Sequence, residues 1–334
     1  MIRVAIIGAG KMGLLHASLL KVIPDVELVA ICEKSWIISR FSRNALPDTN
    51  IVTKIDKLSG MDLDVVYVTT PTPTHYAIIK AVLDKKISRH IFVEKPLANS
   101  NTESRELCDL INQSVIGGIN VVGYNRRYGV TFRKAREIIS EGVIGESVYF
   151  EGYAFSSDFH PGSDGSKKVS RGGVLRDLGC HAIDLAIWYL GDLNVKSLKI
   201  NQASGGRVID SASFEVDTEN GSHGQIKASW CEATYRLPEI GFVLETSNGR
   251  RLAVNDDKLE QRDLNGKVNV WYKQDLVDST YFMLGGTDYY REDEEYINAI
   301  KTRKGIEPSF YTASKVDEII EHVESLFAEW GNDR

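Results

Sequence analysis

At 334 residues, with 43% apolar and 26% charged side chains, the chain is long enough for two compact domains and has the make-up of a folded globular protein rather than a disordered one. The 40 basic residues against 46 acidic ones leave a net charge of −6, with neither sign gathered into a block, which argues against a nucleic-acid face. No apolar run reaches the ~18 residues of a membrane span, and the start, MIRVAIIGAG, lacks the charged region, apolar stretch and cleavage site of a secretory signal. The expected setting is therefore cytoplasmic, without a membrane partner. Cys32, Cys108, Cys180 and Cys231 are scattered with no CxxC pair, so neither a zinc site nor a disulfide framework is indicated and buried, reduced thiols are expected.

The chain opens with an apolar strand, Ile2 to Ile7, then Gly8-Ala9-Gly10-Lys11-Met12-Gly13, then Leu14, Leu15 and Leu19 at helical spacing. A strand that feeds GxGxxG into a helix is the setting in which the motif binds a dinucleotide. Gly8 allows the tight turn, Gly10 lets the backbone approach a pyrophosphate, and Gly13 lets helix and strand pack closely. The helix N-terminus, from Lys11 and Met12 onward, offers N–H groups to the phosphates. A second strand, Glu27 to Cys32, ends in Glu33, about twenty residues after the loop, where an acid that accepts ribose hydroxyls belongs; an ordinary surface acid is the alternative. A carboxylate there repels the 2′-phosphate of NADP and favours NAD. Lys34, Arg40 and Arg43 lie close enough to leave NADP possible.

Alternation continues with a strand at Asp64 to Thr69, a helix at Thr74 to Leu83, a strand at His90 to Val93, a helix at Thr102 to Gln113 and a strand at Asn120 to Val122. This predicts a doubly wound, parallel sheet, an α/β Rossmann domain over residues 1–124. Such sheets bind ligands at the carboxyl ends of their strands, which singles out Thr70, Pro71 and His75 in TTPTPTH and Glu94 and Lys95 in EKP.

Beyond Asn125 the rhythm changes, and residues 125–334 are expected to form a second, α+β domain. Residues 126–141 read as a basic amphipathic helix and Ser147 to Phe155 as a strand. Ser156 to Arg171 is a polar, glycine-rich loop of a length that is commonly functional. A helix over Leu178 to Leu190 follows. Strands are then expected at Val195–Gln202, Ser211–Asp217, Ser222–Cys231, Ile240–Thr246, Arg250–Val254 and Val268–Tyr272, separated by turns such as Asn248-Gly249 and Asn265-Gly266. They make a large, mostly antiparallel open sheet. Two helices, about 287–303 and 312–329, close the chain.

The stretch RDLGCHAID, Arg176 to Asp184, places acids around a histidine at the start of a helix. At about 100° per residue, Asp177, His181 and Asp184 fall within about 60° of one another and could face one cleft. Three readings stand open: Asp177 caps the helix beside a satisfied histidine, the three side chains bind a metal, or they perform acid–base chemistry. No further acid or histidine completes a metal sphere. The glycine loop and EKP favour the third.

GAGKMG, VTTPTPTHY, FVEKPLA, VGYNRRY and GGVLRDLGCHAIDLAIWYLG, in that order, resemble the glucose-fructose oxidoreductase, inositol dehydrogenase and rhizopine-catabolism family, Gfo/Idh/MocA. The resemblance covers about the first 190 residues. It implies NAD or NADP on the Rossmann domain, a sugar or cyclic polyol as substrate, and Lys95, Asp177 and His181 as the catalytic group. It also implies a homodimer or homotetramer through the C-terminal sheet. The chain departs from the family at Thr72, where asparagine is frequent, and lacks the usual glycine before the EKP strand. Oxidising a secondary alcohol sends a hydride to the nicotinamide and the hydroxyl proton to a base, for which His181 is suited near neutral pH. Lys95 could hold the substrate oxygen, Asp177 could orient His181, and Asp184 would support from behind. Arg127, Tyr128 and Tyr290 are candidates for substrate hydroxyls, with surface or packing roles as the alternative, and Asp158 and His160 in the long loop are candidates of the same kind. A dinucleotide-binding regulator without activity is the alternative of another class, and a metal-dependent hydrolase a third.

Overall fold

The computed structural model describes the chain except for residues 114–116, 143–144, 160–170, 205–207, 236, 277–285 and 333–334. It divides into two compact units, Met1–Asn125 with Phe282–Asp317, and Arg126–Tyr281 with Glu318–Arg334. No helix among the described residues is long and apolar enough to cross a membrane.

In the first unit, β1 (Ile2–Ile7), β2 (Val26–Cys32), β3 (Asn50–Val52), β4 (Val65–Val68), β5 (His90–Glu94) and β6 (Asn120–Gly123) lie in the order β3-β2-β1-β4-β5-β6. Every pairing is parallel. The strand order reverses between β1 and β4, the switch point outside which such sheets bind ligands. Helices α1 (Lys11–Leu20), α2 (Trp36–Ala45), α3 (His75–Asp84) and α4 (Asn101–Gln113) make the connections. All of β4 is buried, as expected of a parallel strand covered on both faces. Val4, Ile6, Tyr67 and Phe92 share one core with Tyr296, Ile297 and Ile300 from α7 (Thr287–Thr302). The Tyr296 hydroxyl donates to the Ile119 carbonyl at 2.9 Å. This differs from the expected division, which gave everything after residue 124 to the second domain: α7 returns to complete the first core.

The second unit is built on β7 (Ser147–Phe155), β8 (Leu193–Ser204), β9 (Val208–Thr218), β10 (His223–Ser229), β11 (Glu239–Thr246), β12 (Arg251–Asn255), β13 (Lys258–Arg262) and β14 (Val268–Tyr272). Their order is β14-β13-β12-β11-β7-β10-β9-β8, with β7–β10 the parallel pair in an otherwise antiparallel sheet. Helix α5 (Val130–Ser140) follows a short turn at Asn125–Tyr128, so the helix expected over 126–141 is broken at Gly129. Helix α6 (Cys180–Leu190) packs on β7, β10 and β11, and every residue from Cys180 to Ile187 is buried. A helix covered on all sides holds its place by apolar burial, about 1.5–3 kcal/mol for each large aliphatic side chain. Its polar members, His181 and Asp184, then require internal partners. Helix α8 (Phe310–Asn332) ends the chain.

Three elements escaped the sequence. Helix α2 exposes Trp36, Ile37 and Phe41 and buries Ser39 and Ser42, so its apolar spacing points the wrong way. Strand β13 buries only Leu259 in a polar stretch, and β3 is three residues long. Cys32 and Cys180 are buried as expected, whereas Cys108 and Cys231 are half-buried; none is in a disulfide. Burial, with Glu33 beside it, raises the Cys32 thiol to about 11, so this thiol stays protonated.

Candidate active site

Strand β1 runs into Gly8, whose φ of 100° makes the turn, and the Gly8 N–H donates to the Cys32 carbonyl at 2.9 Å. A Cβ on Gly13 would lie 1.9 Å from the Gly8 carbonyl oxygen and 2.8 Å from Thr69 Oγ1, so helix and strand approach more closely than any side chain allows. Gly10 differs. A Cβ there would meet nothing within 4 Å, and its φ of −69° is open to any residue, so the fold itself does not call for glycine. What its missing side chain leaves is room over the N-terminus of α1, which no side chain caps and no acid occupies in the first turn. Backbone N–H groups and the positive end of the helix dipole therefore point at a space suited to an anionic group. Lys11 is exposed and Met12 half-buried beside it.

Glu33 is 9% exposed. Its Oε2 accepts the Ala9 N–H at 2.8 Å and its Oε1 the Ser35 N–H at 2.7 Å, tying the glycine loop to the start of α2. An ionised carboxylate has about four acceptor positions, so two remain for ribose hydroxyls. Lys34, Arg40 and Arg43 are exposed. These residues fit a dinucleotide: a turn, an open helix end and an acid held at the next strand.

The ends of β4 and β5 are latched together. His75, the first residue of α3, is fully buried, with Nε2 at 2.8 Å from the Thr70 carbonyl and Nδ1 at 3.0 Å from that of Pro96. Burial holds its pKa below the ordinary value, and in the neutral ring one nitrogen donates to one of these carbonyls while the other only packs against the second segment. Thr70 is half-buried and Pro71 exposed. The Lys95–Pro96 peptide is cis, and the half-buried Lys95 donates its backbone N–H to Glu94 Oε2 at 3.3 Å.

Behind them lies a polar cluster that sequence reasoning passed over. His16, fully buried in α1, has Nε2 at 3.1 Å from Glu94 Oε1 and Nδ1 at 2.9 Å from both oxygens of Asp293 on α7. Burial alone would lower the His16 pKa. Asp293, by charge and hydrogen bond, and then Glu94 overcome it and hold the ring well above 6.5, as an imidazolium. Next to it, burial drives Glu292 well above the ordinary carboxylate range, so that side chain is a neutral acid. The only sequence signal was a histidine on the apolar face of α1; the acids lie in a run, REDEE, that reads as surface.

In the second unit, α6 is preceded by a π-helical turn, Leu175–Gly179. Asp177 and Asp184, expected on one face with His181, are engaged by different partners. Asp177, its side chain 19% exposed, accepts from Trp230 Nε1 at 3.0 Å and pairs through the same Oδ2 with Arg171 Nη2 at 2.8 Å. Arg171 also reaches Asp158 Oδ2 at 2.7 Å and lies 5.5 Å over the Phe159 and Trp230 rings. His181 is 7% exposed, in the first turn of α6. Asp184 is turned elsewhere, accepting from Arg127 Nε at 2.9 Å and Nη2 at 2.7 Å with both residues buried. Among the described residues no group of three or more His, Cys, Asp or Glu is placed to hold a metal ion.

Residues 2–115 match the model of an oxidoreductase family with an NAD-binding Rossmann fold, and residues 132–250 match the GFO/IDH/MocA C-terminal domain. D-glucoside 3-dehydrogenase of Escherichia coli K12 is 31% identical over 258 residues, 74% of this chain and 68% of that protein. The chain belongs to the Gfo/Idh/MocA oxidoreductase family. Inositol 2-dehydrogenase of Rhizobium meliloti is 28% identical over 316 residues, covering 92% of this chain and 91% of that one. A levoglucosan dehydrogenase solved with NADH and levoglucosan has the same fold, with a TM-score of 0.85 at 20% identity over 98% of this chain and 97% of that chain. This Gfo/Idh/MocA protein is thus an NAD-dependent oxidoreductase of a sugar and polyol dehydrogenase family, with an NAD-binding Rossmann domain.

Several candidate residues of the oxidoreductase lie differently from expectation. Arg127 is 4% exposed and engaged with Asp184, which makes it a support inside the second unit rather than an open substrate contact. Tyr128 is 2% exposed beneath the Arg133 guanidinium. Tyr290 lies within α7, packed against the Rossmann core with its hydroxyl donating to Glu294 at 3.2 Å. His75 and Glu94 are buried and engaged with backbone, His75 facing the Pro96 carbonyl and Glu94 accepting the Lys95 N–H, with no exposed ring or carboxylate. Asp158 anchors the start of the long loop to Arg171, and His160 lies outside the described residues.

Proposed function

We propose that this oxidoreductase transfers a hydride between NAD and a secondary hydroxyl or carbonyl of a sugar, sugar derivative or cyclic polyol. The observation that carries the reading is the presence of both Lys95 and His181 at the motif positions of a chain whose relatives are named for glucoside and inositol dehydrogenation. NAD, when bound, supplies the hydride acceptor. His181 takes the hydroxyl proton in the oxidative direction and returns it in the reductive one, a role suited to an imidazole near neutral pH. Lys95 gives the reacting oxygen a charged hydrogen bond as its proton departs. Asp177 assists, its carboxylate aimed by the Trp230 indole and the Arg171 guanidinium. Glu33 favours NAD over NADP because a 2′-phosphate would meet a carboxylate already held between two backbone N–H groups.

The test is a thermal-shift screen of NAD and NADP crossed with glucosides, inositols and free sugars, followed by turnover assays on the hits. A ligand at about 100 times its Kd adds about 2.7 kcal/mol to the native state, enough to rank the panel. NAD binding with turnover of one polyol or sugar class is the expected outcome. Cofactor binding with no turnover across the panel would make the chain a dinucleotide-binding regulator instead. Self-association through the outer face of the eight-stranded sheet belongs to the same proposal, and light scattering should return a dimer or tetramer.

A further inference from the structure

We propose that His16 is a positioning residue for Lys95, acting as a buried imidazolium that fixes Glu94 and, through it, the backbone that carries the lysine. The inference rests on the reading of Lys95 as a catalytic residue. His16 stands between two carboxylates, Glu94 from the end of β5 and Asp293 from α7, at 3.1 and 2.9 Å. Neither His16 nor the Asp293 side chain has any exposure, and that of Glu94 is 11% exposed. The second Glu94 oxygen accepts the Lys95 N–H. The path from α1 to the lysine is therefore a chain of direct contacts, one residue long at each step.

The alternatives inside the same shell are few. Tyr67 of β4 and Phe92 of β5 pack on the imidazole at 5.5 and 4.9 Å between ring centroids, and Tyr289 of α7 meets it edge-on at 6.2 Å. Asp288 and Glu292 of α7 are the other acids nearby, with Glu292 neutral and Asp288 beside the Arg291 guanidinium. Without a cation at position 16, Glu94 and Asp293 would be two buried carboxylates with no compensating charge, and one would take up a proton or turn away. A protonated Glu94 would accept the Lys95 N–H more weakly, and the lysine would lose its fixed origin. A displacement of about 1 Å at a reacting group costs on the order of 100-fold in rate.

The experiment uses the full chain with NAD and the polyol or sugar that turns over in the screen. His16→Gln, Glu94→Gln, the double variant and Asp293→Asn are compared by turnover, by NAD-induced thermal shift and by backbone hydrogen exchange of the segment from Glu94 to Ala98. The expected result is that His16→Gln lowers kcat about 10- to 100-fold, with the NAD-induced shift retained and exchange quickened in that segment. The double variant should be no worse than the worse single. Asp293→Asn, which keeps the side-chain shape, should lower the histidine's pKa, so that its kcat falls with rising pH at a lower pH than any fall seen in the parent. Unchanged exchange in His16→Gln, additive losses in the double variant, or an Asp293→Asn profile parallel to the parent would each overturn the proposal. Quickened exchange with unaltered turnover, together with an active Lys95→Met variant, would instead place the failure in the catalytic reading of Lys95.

Discussion

Arg127 and Asp184 give the sharpest quantitative test of how α6 is held. Their side chains are 5% and 1% exposed, and the guanidinium meets the carboxylate through two nitrogens. Removing one partner strands the other charge in the core, which costs about 3–5 kcal/mol. Arg127→Met and Asp184→Leu should therefore each destabilise by that amount, with Arg127→Met losing in addition the contact of the guanidinium over Trp188 at 5.7 Å. The double variant leaves no buried charge and should lie within about 2 kcal/mol of the parent, because an apolar pair of similar volume commonly replaces a buried ion pair without loss. Urea titration followed by tryptophan fluorescence reads this directly, since Trp188 and Trp230 belong to the same unit as the pair. Strictly additive single effects would refute the reasoning. So would an Asp184→Leu variant that loses turnover at full stability, which would place Asp184 at the substrate.

Gly10→Ala should cost less than about 1 kcal/mol in stability, a residue open to any side chain at a helix N-terminus, yet weaken NAD binding by isothermal titration; equal loss of both would contradict the open cradle. Gly13→Ala should fail on stability first, because its Cβ would lie 1.9 Å from the Gly8 carbonyl oxygen. Glu292→Gln tests the neutral acid. The native chain keeps a proton that the unfolded chain releases above its ordinary 4.5, so parent stability falls as pH rises through that window. Relative to the parent, the Gln variant should gain about 1.4 kcal/mol per pH unit there and nothing below it. A difference that stays flat with pH, measured by chemical denaturation, would show the carboxyl to be ionised.

What was legible in the sequence is what the backbone dictates locally. The glycine loop, Glu33 and the strand ends were read correctly in place because each depends on residues within one βα unit. The acid–histidine crowding at Asp177 to Asp184 was visible, but its geometry was not. An ideal helical projection has no means of anticipating the π-helical turn, or that Asp184 pairs with a residue 57 positions earlier and Asp177 with one 53 positions later. His16 and Asp293 are separated by 277 positions, and their meeting depends on α7 returning to the first sheet. Such contacts are set by tertiary packing, and a single sequence carries no periodicity that marks them. The exposed apolar face of α2 was missed for the opposite reason: the pattern was present and faced outward.

The central claim is that His181 moves the proton that accompanies hydride transfer. The most direct measurement is the turnover of a His181→Asn variant by NADH absorbance, with NAD affinity determined on the same preparation. The account predicts unchanged NAD affinity and a kcat lower by about 10²–10⁴-fold, the usual contribution of a general acid or base. A variant that binds NAD and turns over at the parent rate would contradict it.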